Sequence, residues 1–366
     1  MPRTAVLRTV LRRAWVPVVA VVLALLMLGA WTLSSPVGSS PDDDFHLASI
    51  WCGDGTAAGK CEPGAAPDER RVDKDVISGS VCFAFHPDVS AACQGAGFGS
   101  GPSPTVDIDR GNFAGQYPPL FYAFMGLFAG KQVVVSVLVM RAAASALFVG
   151  LLTALALLLP VRYRAMAIVA PLVALVPLGV SLVASTNPSG WGLLSATVLL
   201  PALIGFFETD GARKWALGGI AVVATLVGAG SRADSAAYAI IVAVIVAILF
   251  ARRTRRFLLH ALLLVGVVIV SAAFYLSAHQ ADVVSTGFAP GSQGSVVGLL
   301  GANLVLLPSF WAGFYGAPPW GLGWLDTPMP PIVWVPGLGV LFVTAMVGLA
   351  HARWRCGSHS AQDGDG

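Results

Sequence analysis

The sequence predicts an all-α, polytopic integral membrane protein with about eight transmembrane helices, nine by the alternative count, and a long first external loop. Three observations predict it. First, the 366-residue chain is 56% hydrophobic and 11% charged, with a mean hydropathy of +0.77, whereas soluble domains carry about a quarter charged residues. Second, apolar runs close to the ~20 residues that a bilayer requires recur along the chain, with arginines gathered at their ends. Third, a single long polar stretch interrupts them, over 34–116. A net charge of +3 is too small to indicate a nucleic-acid partner. Arginine far outnumbers lysine, and Ala, Val and Gly are abundant, a composition typical of a GC-rich bacterial genome.

Taken in order, residues 1–13 form a basic head with Arg3, Arg8, Arg12 and Arg13, which belongs in the cytoplasm. Residues 14–34 form the first span. The run is longer than the apolar core of a cleavable signal peptide, and later spans favour an anchor. Residues 35–131 form an external loop, too long to be an idle connection. It holds Cys52, Cys61, Cys82 and Cys93. Four cysteines in one loop facing an oxidising compartment read as two disulfides. Three pairings exist, of which the short-range one, Cys52 with Cys61 and Cys82 with Cys93, is preferred. A metal site lacks any CxxC spacing. The segment 118–130 is too short to span and rich in aromatics, which predicts an interfacial helix.

Residues 132–350 form the multi-helix domain. Spans are expected over 132–159, 166–184, 191–207, 215–228, 236–250, 257–277 and 332–350. Pro171 and Pro177 are tolerated inside the third span of the chain. Arg252, Arg253, Arg255 and Arg256 are the strongest cytoplasmic marker. The stretch 278–331 reads as external, with 296–311 interfacial or re-entrant. If 296–311 crosses, the count rises to nine and the C-terminus changes side. Residues 351–366 are a polar tail.

The candidate chemistry begins at Pro41-Asp42-Asp43-Asp44-Phe45-His46, just past the first span. Adjacent carboxylates offer hard oxygen ligands for a divalent cation such as Mg2+ or Mn2+. One of them could instead serve as a general base. The plainer alternative is a solvated acidic turn. Arg141 lies inside an apolar run, where a cation is costly and usually meets a polar partner, for example a lipid phosphate; snorkelling to the surface is the alternative. Arg232 and Asp234 flank one residue at an external turn, either a site pair or a surface ion pair. His46 and His86 are external and suited to acid–base or metal chemistry, or are polar surface. Asp326 sits among apolar neighbours in Gly323-Trp324-Leu325-Asp326-Thr327-Pro328. No P-loop, GxSxG, HExxH or dinucleotide fingerprint is present.

Pro41-Asp42-Asp43-x-x-His46, Tyr117-Pro118-Pro119-Leu120-Phe121-Tyr122, Arg141 with Ser145, and Gly323-Trp324-Leu325-Asp326-Thr327-Pro328 together resemble DUF2142, a bacterial family of predicted membrane proteins of unknown function. The resemblance covers about residues 14–350. The family's usual acidic pair is Asp-Glu; here Asp43 stands in the Glu position. That family is in turn similar to the GT-C glycosyltransferases, polytopic enzymes with an acidic motif in the first external loop. The resemblance implies a polyprenyl-phosphate sugar as donor and a cell-envelope acceptor. It implies Asp42 as general base or metal ligand, Asp43 as its partner, and Arg141 or Arg232 as phosphate-binding cations. His46, Tyr117 and Asp326 would complete the substrate site. The expected location is the bacterial cytoplasmic membrane, with the N-terminus in the cytoplasm. Two rival readings remain: a transporter or flippase for an envelope lipid or polymer, and a non-catalytic scaffold whose disulfide-bearing loop binds a partner.

Overall fold

The structure, a computed structural model, describes residues 3–57, 59–279 and 295–360. Most of the expected external loop over 279–295, and the tail beyond 360, lie outside the described residues, as do the side chains of the basic head. Among the described residues thirteen α-helices dominate, and eight of them are long and apolar enough to cross a membrane. The chain divides into two compact units, Met1–Leu175 with Gly179–Gln293, and Val176–Leu178 with Gly294–Gly366.

In the first unit, α1 (Arg3–Ser34) leads into the polar loop. That loop is ordered. It opens with the short helix α2 (Asp43–Trp51), continues through a three-stranded antiparallel sheet, and includes α3 (Lys74–Ser78). The sheet runs in the order β1 (Glu62–Pro63), β2 (Arg70–Asp73), β3 (Thr105–Ile108), with Arg71 opposite Asp107. Disulfides join Cys52 to Cys61 and Cys82 to Cys93, the short-range pairing. Gln94 pins the second disulfide loop by donating to the carbonyls of Val37 and Gly79.

The segment expected as an interfacial helix over 118–130 is shorter and more deeply placed. It forms α4 (Leu120–Gly126), with Phe121, Tyr122 and Met125 buried. Phe121 and Phe124 pack on Trp191, and the α2 terminus approaches so closely that a Cβ on Gly53 would meet the Tyr122 carbonyl. Phe121 and Tyr122 serve a protein core, and Phe124 keeps an exposed face.

Helix α5 (Val133–Leu158) runs the length of the unit, about 39 Å at 1.5 Å per residue. It starts beside Gly99 and ends where Arg213 donates to the Leu158 carbonyl. The expected continuous span over 166–184 is not one helix. It is α6 (Met166–Ala174) and α7 (Pro177–Val183), and the chain bends by 97° between them. Pro177 supplies the break: it cannot donate to the α6 ladder and disfavours helix in the residue before it. The bent pair still carries the chain from one end of the unit to the other. It leaves beside Leu159 and arrives at Thr186 and Asn187, which bond to Asp43 and Pro41.

Helices α8 (Ser189–Glu208), α9 (Gly211–Ala229), α10 (Ala233–Phe250) and α11 (Arg255–Ser277) then alternate between the same two ends. Glu208 pairs with Arg162 and Phe250 stacks on Phe207 at one end; Gly230 accepts from Phe121 at the other. An apolar cluster runs from Leu28 through Val267, and small residues such as Ala202, Ala221 and Ala224 in it let helices approach closely.

The second unit contains α12 (Val296–Phe314) and α13 (Pro331–Ser360). Residues 297–314 have the length and hydropathy of a span, which the interfacial or re-entrant reading of 296–311 did not give them. With the bent pair taken as one passage, the described residues offer nine.

Candidate functional site

The acidic cluster is a helix start, and the start separates its members. Asp42 is the N-cap of α2 with φ 56° and ψ 25°, in the left-handed region that Asp tolerates better than most residues. Its carbonyl accepts from the Phe45 and His46 amides. Its carboxylate makes no cap bond and turns outward, exposed, to Arg110 Nη2 at 2.9 Å. Asp44 meets the same guanidinium through Nε at 2.6 Å. Arg110 also covers the Phe45 ring.

Asp43 points the other way and is fully buried. One carboxylate oxygen accepts from the Ser40 amide at 3.0 Å, the other from the Thr186 hydroxyl at 2.7 Å. Beside it, the Asn187 side-chain amide donates to the Pro41 carbonyl. Burial pushes the Asp43 carboxyl above its ordinary value; the charge of Arg141 and the bonds from Thr186 and Ser40 oppose that push. Arg141 is 1% exposed and donates to the Ser35 and Pro36 carbonyls at 2.6 and 2.9 Å, just past the end of α1. It therefore satisfies the C-terminal end of α1, where a cation is favoured, and holds the turn that carries the acidic cluster.

His46 lies under this surface, 2% exposed, with Nδ1 3.0 Å from the Tyr122 hydroxyl. Burial first, then the charges of Arg232 and Arg110, lower its pKa to about 3. The imidazole is thus neutral near pH 7. Burial likewise pushes the Tyr122 hydroxyl well above its ordinary value. Tyr117 packs edge-on to both His46 and Tyr122, and Asn112 fixes its backbone at both the amide and the carbonyl. Arg232 closes the group. Its guanidinium lies over Tyr117, donates to Ser189 Oγ at 3.0 Å, and pairs with Asp234 at 2.9 Å. A cavity of about 300 Å3 opens behind Tyr122, lined in part by Ser49, Arg70, Asn112 and Phe113.

Of the residues singled out in the sequence, Asp42, Asp43, His46, Tyr117, Arg232 and Asp234 converge at one end of the first unit, with Arg141 beneath Asp43. His86 is exposed in the Cys82–Cys93 loop. Asp326 belongs to the second unit. There its carboxylate accepts from the Trp324 amide and the Thr327 hydroxyl, closing a turn in which Leu322 and Thr327 pair. The residues that the sequence reasoning missed are Arg110, Thr186, Asn187, Ser189 and Tyr122. Only Tyr122 had a signal, as the end of the Tyr117–Tyr122 motif.

The arrangement does not fit the expected divalent cation. The Asp42 and Asp43 carboxylates diverge, one toward Arg110 and one into the protein. Among the described residues, no three His, Cys, Asp or Glu side chains gather as a ligand set. What the site does offer is an exposed carboxylate, two guanidinium groups and an aromatic wall.

No curated protein and no solved structure matches the chain. The family model described as "Predicted membrane protein (DUF2142)" matches residues 25–363, which includes most of each unit and every residue of the site. The chain therefore belongs to the DUF2142 family of predicted membrane proteins.

Proposed function

We propose that the protein is a membrane glycosyltransferase that moves a sugar from a polyprenyl-phosphate donor to a hydroxyl of a cell-envelope acceptor. One observation carries this reading: an exposed carboxylate, Asp42, is held at a helix start against the Arg110 guanidinium, in a cluster that also holds Arg232 over Tyr117 and a neutral buried histidine. In this scheme Asp42 takes the proton of the acceptor hydroxyl as its oxygen bonds to the anomeric carbon. The bond from that carbon to the phosphate oxygen breaks, and the electron pair leaves with the phosphate. Arg232 and Arg110 meet the charge that develops there, the electrostatic work that such sites require. Tyr117 supplies a face on which a sugar ring can stack. Asp43 and Arg141 position Asp42 and touch no substrate. The resemblance to GT-C enzymes expected from the sequence motifs motivates the same reading.

Orientation fits it as well. The disulfides lie at the end of the first unit that holds the site, and the exposed arginines 252, 253 and 255 lie at the other. With the basic end in the cytoplasm, the site faces the envelope and an oxidising compartment. The test is Asp42→Asn in membranes supplied with radiolabelled polyprenyl-phosphate sugar. Transfer should fall by about 100-fold or more while the protein folds as before; undiminished transfer removes Asp42 from the chemistry.

A second reading, a carrier of an envelope lipid, draws on the 97° break between α6 and α7. Discontinuous helices build midplane sites in transporters. Lipid flux in proteoliposomes without sugar transfer would favour it.

A further inference from the structure

The cavity of about 300 Å3 behind Tyr122 has no part in the transfer scheme, yet it adjoins the site. Tyr122, whose hydroxyl meets His46, and Asn112, which holds the Tyr117 backbone, form part of its wall. Small-molecule sites run from about 300 to 1,000 Å3, so this one has room for a single ring-sized group. Ser49 and Thr56 add polar groups to the lining, and Phe113 and Pro119 add apolar faces. A sugar ring presents the same mixture, with hydroxyls at its edge and C–H bonds on its faces. Among the described residues, one cation and no carboxylate line the cavity, and the cation is Arg70.

The polar loop contains three arginines, and the other two are paired, Arg71 with Asp107 and Arg110 with Asp42 and Asp44. Arg71 grips its carboxylate with Nε and Nη2, the edge of the fork that matches two oxygens at once. Arg70 uses only Nη1, which donates to the Pro67 and Glu69 carbonyls, while its guanidinium lies 5.4 Å from the centre of the Phe113 ring. Among the described residues its Nε–Nη2 edge has no acceptor and its charge has no carboxylate partner. We infer that this cavity holds the anionic group, a carboxylate or a phosphate, of a sugar-like acceptor. A guanidinium with that edge open is suited to either group. The donor's phosphate has its own cations in Arg110 and Arg232, so a second anion site that shares Tyr122 with the first fits the other substrate. The assignment to the acceptor rests on the glycosyltransferase reading; anion binding itself does not.

Saturation-transfer NMR on the full-length protein in detergent, without donor, tests this with glucuronate, glucose 6-phosphate and glucose. The better of the two anionic sugars should bind about tenfold or more tighter than glucose, as one charge-assisted bond provides, and it identifies the acidic group. Arg70→Gln should abolish that preference, and Arg70→Lys, which keeps the charge, should restore part of it. Lys74→Gln removes an exposed cation of the same loop outside the cavity and should leave the preference whole. Thr56→Phe, at an exposed position on the wall, fills the cavity while sparing Arg70 and should weaken all three sugars. It decides the matter if Arg70→Gln fails to fold. Equal binding of the three sugars by the parent overturns the inference. So does an equal loss in Arg70→Gln and Lys74→Gln, which would mean diffuse attraction to a basic surface, and so does undiminished binding in Thr56→Phe. Anion binding without transfer to any acceptor would remove the glycosyltransferase reading and leave the anion site standing; transfer without anion preference would do the reverse.

Discussion

Two layers of the same site treat charge in opposite ways. The lower layer, Asp43 with Thr186, Ser40 and Arg141, is dry: each carboxylate oxygen has one donor, and two guanidinium nitrogens have backbone acceptors. The upper layer, Asp42 with Arg110 and Arg232 with Asp234, is open, and its ion pairs are half exposed. Asp42 and Asp43 are neighbours in the chain, yet one belongs to each layer. The difference shows what an acidic pair at a helix start can do. The first carboxylate, at a left-handed N-cap, is aimed outward to Arg110 and solvent. The second, one residue into the helix, is aimed inward and fixes the first. Stability should therefore reside in the lower layer and activity in the upper, and the comparison can be broken at either.

The largest effect is expected from Arg141→Met. It strips the counter-charge from a buried carboxylate and two acceptors from their donor, a loss of about 3–5 kcal/mol. Thermal unfolding in detergent should show a large drop, or no folded protein at all. A variant that melts with the parent would mean that the lower layer does not hold the site together.

Acid sensitivity comes next. The pKa of His46 is depressed in the fold, from 6.5 to about 3. The unfolded chain thus takes up a proton below pH 6.5 that the folded one refuses. The stability that the neutral ring contributes is complete above pH 6.5 and is lost as pH falls toward 3. Asp43 acts in the opposite sense. Its folded pKa is raised, so the cost of burying its charge is relieved as pH falls through that value. His46→Asn keeps a partner for Tyr122 but cannot titrate over this range. It should flatten the decline of melting temperature between pH 6.5 and 4, whatever it does to stability at pH 7. An unchanged slope would sink the assignment of a buried neutral histidine.

Much of this was legible in the sequence, for physical reasons that can be named. Spans are long enough for hydropathy to average over them, and arginines at their ends mark the sides. The disulfides were readable because short loops bring their cysteines together. The helix α2 was not, since nine residues give too little periodicity to read. Pro177 was visible, but whether it kinks or breaks a passage depends on what satisfies the freed backbone. Arg110, Thr186 and Ser189 come from three separate segments that only the fold unites, and no spacing announces them. Asp42 and Asp43 were found together because their types matched. Their opposite directions follow from the left-handed backbone at Asp42 and the turn of the helix that begins at Asp43, which residue type alone does not determine.

Thr186→Val tests the seam between the layers. It removes the hydroxyl that donates to Asp43 while keeping the shape, and leaves that oxygen without its donor. The expected loss is about 1–3 kcal/mol, read by melting. Transfer per folded molecule should stay near the parent's, because Asp42 keeps its helix start and Arg110.

The smallest effect is expected from Ser189→Ala, and it probes the upper layer alone. Arg232 loses one neutral partner but keeps Asp234 through Nε and Nη2, in a group that water already reaches. Stability should change by less than about 0.5 kcal/mol. Freed from Ser189, the guanidinium can swing on its ion pair, so its hold on the charge that develops on the phosphate should weaken without altering the proton transfer at Asp42. Transfer at saturating donor should then fall several-fold. An unchanged maximum, with only more donor needed for half-maximal rate, would mean that Arg232 holds the donor and takes no part in the bond-breaking step. A melting shift as large as that of Thr186→Val would erase the division between the two layers.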